Sequence, residues 1–354
     1  MPGVSDSVWS ARDTTPGEVE AALRQMLKER HTENASFVPA RTLNLVCIVD
    51  KAWSGEIANR LRGVGRYHAS RTVVLSVDPG SEQLDVVATI ASDVHPVPGA
   101  FAALRETVVV NCGERHLHAA DSIVDPLVVT DLPTVVWSPH GHHEAIDALL
   151  GLTQVVLVDS DDEPDDREAL RRADELSRRA YVVDLAWLRS TPWRERVAAT
   201  FDPVKLRPDL RMVSAVTVRH NPESATSAML LLGWLASRLD WRVSPLVNAG
   251  DGPRCSAHAR RQDVALRLEP ATDMQVRGLA GLTLETASGR WLSLDRGPGG
   301  LRARYRNARN DEREWTILGA SRGEAGILGE GIRQALLRDP TYRPALAGAQ
   351  AMLK

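Results

Sequence analysis

The apolar positions open at helical spacing. Behind Thr15-Pro16, Val19, Ala22, Leu23, Met26 and Leu27 recur on one face, with Thr15 as cap, which predicts a helix over 15–30. The continuous apolar run Leu43–Asp50, LNLVCIVD, predicts a strand buried on both faces. A helix over 54–61 follows and closes near Gly63 and Gly65. Two strands come next, 71–78 and 84–92, joined by an Asp78-Pro79-Gly80 turn. Further strands are expected at 107–112, 134–138, 155–159 and 181–185. Helices are expected at 119–129, 144–150 and 166–179. Strands alternating with helices of this length predict an α/β, three-layer unit with a largely parallel sheet.

The texture then changes. A helix at 193–200, a strand at 213–219 and the apolar helix Ala225–Leu239 precede shorter alternating runs at 258–268, 275–278, 281–286 and 291–294. Glycine-rich turns such as 296–300 separate those runs, which predicts an antiparallel sheet. A last helix is expected over 323–338, before Pro340. The expected organisation is an N-terminal α/β domain, 1–205, and an α+β C-terminal domain, 206–354. The first contains the helix 15–30, the first strand 43–50 and a Trp/Arg-rich segment, 184–202.

Composition narrows the function. A chain of 354 residues with 43% hydrophobic and 25% charged residues suits two domains with cores of their own. A net charge of -3 supplies no global field for a polyanion, so no nucleic-acid partner is expected. Lysine occurs only at Lys28, Lys51, Lys205 and Lys354 among 43 basic residues, so nearly all cations are arginines, suited to bidentate contacts. Tryptophan, at 9, outnumbers tyrosine at 4 and phenylalanine at 3. Cys47, Cys112 and Cys255 are widely spaced, which argues against a disulfide scaffold or a cysteine zinc site. Residues 1–10 lack the pattern of a signal peptide and no apolar run is long enough for a bilayer, so a cytoplasmic protein without membrane partners is expected.

Catalytic signatures are lacking. The turn after the first strand, Lys51-Ala52-Trp53-Ser54-Gly55, is bulky where a dinucleotide fingerprint needs glycine. Gly319, Gly323, Gly326, Gly329 and Gly331 have the wrong spacing for a phosphate loop, and Glu324 and Glu330 would repel an anion. No Gly-x-Ser-x-Gly elbow is present. The acidic run 159–166, DSDDEPDD, does not fit an EF-hand and reads as a solvated loop facing arginines of this chain or of a partner. His140, His142, His143 and Glu144 are weak candidates for a metal site at a strand end; a polar exposed loop is the other reading. That loop carries the alternative function, an α/β enzyme or small-ligand binding protein. Trp187, Arg189, Trp193 and Arg194 place two indoles and two guanidiniums close together, as an inter-domain clasp or as a binding surface.

Several segments resemble one family. They are 41–46 (RTLNLV), 68–74 (HASRTVV), 131–139 (DLPTVVWSP, with Trp137), 184–187 (DLAW) with 191–194 (TPWR), 233–235 (GWL) and 338–342 (RDPTY). In order and spacing they are similar to the glucose-6-phosphate dehydrogenase assembly protein family, OpcA, from about Thr15 to the C-terminus. Ala69 and Ser138 depart from the family's commoner proline and bulky residue. The resemblance implies a non-enzymatic assembly factor or allosteric activator. It would bind glucose-6-phosphate dehydrogenase and promote its active oligomeric state in the oxidative pentose phosphate pathway. It implies no cofactor of its own, the NADP belonging to the partner, and no catalytic residue. Interface candidates are Trp137, Trp187, Arg189, Trp193 and Arg194.

Overall fold

The computed structural model describes residues 6–33, 37–39, 41–65, 69–92, 102–250, 252–260, 262–318 and 324–354. His68, Gly319 and Gly323, singled out above, lie outside them. The chain forms two compact units. One comprises Met1–Val158, Arg179–Val183 and Ile332–Leu336; the other comprises Asp159–Arg178, Asp184–Gly331 and Leu337–Lys354. The Trp/Arg-rich segment 184–202 is part of the second unit.

The first sheet is built from β1 (Ser7–Ala11), β2 (Phe37–Val38), β3 (Leu43–Asp50), β4 (Ser70–Val77), β5 (Asp85–Ser92), β6 (Ala102–Cys112), β7 (Thr134–Trp137), β8 (Val155–Val158) and β9 (Tyr181–Asp184). Its order is β1-β5-β6-β4-β3-β7-β8-β9, with β2 paired to β6. Pairs β6/β4, β4/β3, β3/β7 and β7/β8 are parallel, while β1 and β5 are antiparallel additions at one edge. The sheet is therefore largely parallel, as the alternating pattern predicts. Strands β4 and β5, consecutive across the Asp78-Pro79-Gly80 turn, are not neighbours, because β6 pairs with both. Strand β3 is buried along Leu43–Val49, as a central parallel strand requires. Cys47 and Cys112 are buried as small hydrophobes, and desolvation pushes both thiols up, Cys112 to about 11.

Helices α1 (Pro16–Glu33), α2 (Ser54–Gly65), α3 (Ala120–Val124) and α4 (His143–Leu149) connect these strands. Thr15 caps α1 as expected. Its N–H donates to Glu18 Oε2 at 3.0 Å and its hydroxyl accepts from the Glu18 N–H at 3.4 Å, a capping box. The Thr15 N–H first, then the Thr14 and Thr15 hydroxyls, donate to the Glu18 carboxylate and hold it below its usual pKa.

The second unit carries α5 (Asp166–Ser177), α6 (Leu185–Arg189), α7 (Thr191–Phe201) and α8 (Ala225–Leu239). Its sheet holds β10 (Val213–His220), β11 (Arg242–Val243), β12 (Val247–Ala249), β13 (Gly252–His258), β14 (Asp263–Pro270), β15 (Leu279–Thr286), β16 (Trp291–Gly297), β17 (Gly300–Arg306) and β18 (Glu312–Leu318). The order is β11-β13-β14-β10-β15-β16-β17-β18, with β12 on β13. Among the described residues every strand pair in it is antiparallel except β10/β14, between which the chain runs through α8 and strands β11 to β13. The sheet is thus mostly antiparallel, as predicted, with two local differences. The run expected at 258–268 is a hairpin, β13 and β14, and 275–278 is a bend. Two helices close the chain, α9 (Glu324–Ala335) and α10 (Tyr342–Met352), where one was expected. Among the described residues no helix is long and apolar enough to cross a membrane.

Candidate functional site

The order β6-β4-β3-β7-β8 reverses direction between β3 and β7. In doubly wound sheets the crevice beyond the carboxyl ends of these two strands is where ligands bind. Register aligns Asp50 of β3 with Val77 of β4, so the next residues, Lys51 and Asp78, emerge side by side. Lys51 Nζ meets Asp78 Oδ2 at 2.8 Å. This hydrogen bond raises the lysine pKa and lowers the aspartate's. A dinucleotide-binding version would use an acid at the end of the second strand for ribose hydroxyls, and glycine in the first turn for the pyrophosphate. Here the acid is held by the chain's own lysine, and the turn carries Trp53, 53% exposed. Gly55, the first glycine after β3, faces open space.

The loop from β7 to α4 folds onto the same strand end. The Asp50 N–H donates to His140 Nδ1 at 2.9 Å, which leaves a neutral His140 protonated on Nε2. His142 Nε2 sits 2.8 Å from Asp50 Oδ1. The His142 N–H donates to Ser138 Oγ at 3.2 Å, and Ser138 Oγ donates to the Ile48 carbonyl at 3.3 Å. Gly141 supplies the turn with φ +72°, a conformation that favours glycine. The Trp53 and His140 rings lie 6.5 Å apart, tilted by 53°. His143 and Glu144 fall in the first turn of α4. The loop is half-buried against β3 rather than exposed, with the His140 and His142 side chains 21% and 13% exposed. Among the described residues no group of three or more His, Cys, Asp or Glu side chains is placed to hold a metal.

In the second unit the family-like motifs, far apart in sequence, meet. Asp184 caps α6 by accepting from the Ala186 N–H at 3.0 Å, and its other oxygen accepts from Ser160 Oγ at 2.6 Å and from the Tyr342 hydroxyl at 2.9 Å. Trp187 Nε1 donates to Asp339 Oδ2 at 2.9 Å, and its ring lies 5.8 Å from Tyr342. The Arg194 guanidinium stacks 3.4 Å from the centre of the Trp187 ring. Burial lowers the Arg194 pKa to about 10, against the opposing charge of Asp339. Arg189 forms a bidentate pair with Asp159, at 2.6 and 2.7 Å, and reaches Asp161 at 3.5 Å. Asp161 also accepts from the Ser227 N–H and hydroxyl, at 3.0 and 2.6 Å. The acidic run is therefore not simply solvated, because two of its carboxylates turn inward to a buried arginine. Trp187, Arg189, Trp193 and Arg194 are buried here, and Trp137 is buried at the end of β7. Trp53, Asp50, Asp159, Asp161 and Tyr342 are not among the candidate site residues read from the sequence. Trp53 leaves a signal as a bulky residue in a turn that should be small, Asp159 and Asp161 as part of the acidic run and Tyr342 as part of a family-like segment, whereas Asp50 leaves none.

Two family models match the chain, and both describe a glucose-6-phosphate dehydrogenase subunit. The model of its C-terminal domain matches residues 180–346, and the model of its N-terminal domain matches residues 62–175. Curated relatives from Nostoc punctiforme and Synechococcus elongatus carry the name OxPP cycle protein OpcA. They are 31% identical over 152 residues and 29% identical over 141 residues. Those matches cover 42% and 39% of this chain and 33% and 32% of the relatives, so they span about a third of each relative's length. Among solved structures, a WlbA dehydrogenase from Thermus thermophilus aligns at 15% identity over 88% of this chain and 93% of that one, with a TM-score of 0.43.

Proposed function

The chain belongs to the OpcA family of glucose-6-phosphate dehydrogenase assembly proteins, and from that premise we propose that it is a non-enzymatic partner of glucose-6-phosphate dehydrogenase. In this reading it acts in the cytoplasm, on the oxidative pentose phosphate cycle, by binding the enzyme's active arrangement more tightly than its other states. Differential affinity is what makes such a partner an assembly factor or activator, since equal affinity for all states would shift nothing.

The observation that carries the proposal is the filled crevice. Lys51 already occupies Asp78, and Trp53 stands where a pyrophosphate would need a bare backbone. A chain of this topology that spends its nucleotide position on its own side chains has no evident use for NADP, and the cofactor is left to the enzyme it binds.

The same place supplies a contact surface. Of the nine tryptophans Trp53 alone is exposed. Its neighbours in α2 and the preceding turn, Lys51, Glu56 and Arg60, alternate in sign. An exposed indole ringed by charges is the usual composition of an interface anchor and its rim. Trp137, Trp187, Arg189, Trp193 and Arg194 enter this reading as interior frame. The test is sedimentation of the chain with the dehydrogenase of the same cell. Trp53→Ala should weaken the complex by about tenfold or more while leaving the fold intact, because the side chain is half exposed. Unchanged binding by the variant would move the interface elsewhere.

A further inference from the structure

Three carboxylates stand at or just beyond the carboxyl ends of β3 and β4, and the chain supplies cations for two of them. Asp78 is paired with Lys51 at 2.8 Å, and Glu56 with Arg60 at 2.5 Å. Asp50, the last residue of β3, is half exposed and has no lysine or arginine partner among the described residues. Its Oδ1 is held by His142 Nε2 at 2.8 Å, and the His142 N–H is itself tied to Ser138 Oγ at 3.2 Å. The carboxylate is thereby fixed, yet its Oδ2 takes no hydrogen bond among the described residues. His140 Nδ1 lies 3.7 Å from that oxygen and is already occupied by the Asp50 N–H.

The His140 ring also neighbours the Trp53 indole, with 6.5 Å between ring centres. Trp53 is the exposed tryptophan, and among the described residues no lysine or arginine lies over its ring. One loop thus brings together a fixed carboxylate oxygen and an open aromatic face, without the cation that each favours.

Elsewhere the chain shows what such a pairing takes. In the second unit the Arg194 guanidinium lies 3.4 Å from the centre of the Trp187 ring and 3.7 Å from Asp339 Oδ2. Arg304 is shared in the same way between Trp291, at 5.6 Å, and Asp295, at 3.3 Å. In both, one guanidinium serves an indole and a carboxylate at once, which suits its planar, delocalised charge better than an ammonium. Trp53 and Asp50 repeat the indole and the carboxylate and lack the arginine.

We propose that the Asp50–Trp53 crevice is a socket for an arginine side chain presented by the partner protein. The guanidinium pairs with Asp50 Oδ2 and lies against the Trp53 ring, and docking buries both. The inference rests on the reading of this chain as a partner of glucose-6-phosphate dehydrogenase, and adds the chemistry of the residue that Trp53 receives.

Sedimentation of the full chain with the cognate dehydrogenase tests it, comparing the parent with Asp50→Asn, Trp53→Ala and the double variant. Asp50→Asn keeps an oxygen for His142 and removes the charge, and it should weaken the complex by about tenfold. The two single losses should not multiply, because both variants remove contacts to one guanidinium. The double variant should bind within about threefold of the weaker single one. The parent complex should loosen as salt rises from about 50 to 500 mM, and Asp50→Asn should flatten that dependence. Asp50→Asn binding as tightly as the parent, while Trp53→Ala still weakens the complex, would overturn the socket and leave the dehydrogenase reading standing. So would losses that multiply in the double variant. If Asp50→Asn does not fold, the parent decides, since an affinity constant across that salt range would overturn the socket. Absence of any complex with the parent would contradict the dehydrogenase reading itself, and the socket with it.

Discussion

Asp161 shows how much a single side chain depends on partners distant in sequence. It is 8% exposed, beside Asp159, and accepts two hydrogen bonds from Ser227. Burial first, and the Asp159 charge second, raise its pKa from 3.8 to about 7, with Ser227 and Arg189 opposing. In the unfolded chain the same group ionises near its ordinary value. Between those two pKa values the folded state therefore holds a proton that the unfolded state has lost. The contribution to stability is full below the unfolded pKa and declines as pH rises toward about 7. Asp161→Asn removes the titration and keeps an oxygen for the Ser227 N–H. Urea unfolding at a series of pH values should show a flatter slope for the variant across that window, by on the order of a few kcal/mol in total. An identical slope would mean that Asp161 ionises normally in the folded chain. None of this is legible from DSDDEPDD, because Arg189 and Ser227 lie 28 and 66 residues away. By contrast, Thr15 and Glu18 sit three residues apart, and their cap is legible in the sequence itself.

Elements whose apolar pattern is self-contained are equally legible. Helix α8 spans Ala225–Leu239 as its sequence predicts, and β3 spans Leu43–Asp50. Helix α10 escapes the sequence reading although Tyr342, Ala345, Leu346, Ala349 and Met352 recur at helical spacing and are buried. Pro340 reads as a stop, but it precedes a new helix, and Pro344 sits in the first turn, where its missing N–H costs nothing. What α10 packs on explains its small residues. A Cβ on Gly233 of α8 would stand 2.7 Å from the Ala349 nitrogen and closer still to the Ala345 carbonyl, and one on Gly348 would stand 2.8 Å from the Gly233 Cα. The two helices touch backbone to backbone, so a methyl group has no room. Gly233→Ala should destabilise the fold by about 1–3 kcal/mol through overpacking, despite alanine's better helix propensity. Thermal unfolding measures it, and a variant as stable as the parent would show that the helices can part freely.

At the scale of the whole molecule, two sheets with different strand directions are legible from the change in periodicity, and the family from the order of its motifs. The role of those motifs is not. Asp184, Trp187, Arg194, Asp339 and Tyr342 assemble into one buried hydrogen-bonded and stacked cluster, so segments about 150 residues apart form a core of the second unit. Aromatic and arginine side chains anchor interiors as readily as interfaces, and sequence alone does not distinguish the two. The switch-point crevice is legible only by subtraction, as a turn too bulky for a cofactor. Strand order and register place Asp78 beside Lys51 and give that turn its meaning. In the proposed reading the chain acts through a partner, which is a direct prediction at this scale. The most direct measurement is a titration of the cognate glucose-6-phosphate dehydrogenase with this chain, following its initial rate and sedimentation together. A saturable change in rate that reaches its plateau at a fixed stoichiometry, together with a heavier sedimenting species, is the expected result. Rates and sedimentation that stay unchanged across the full range of ratios would contradict it.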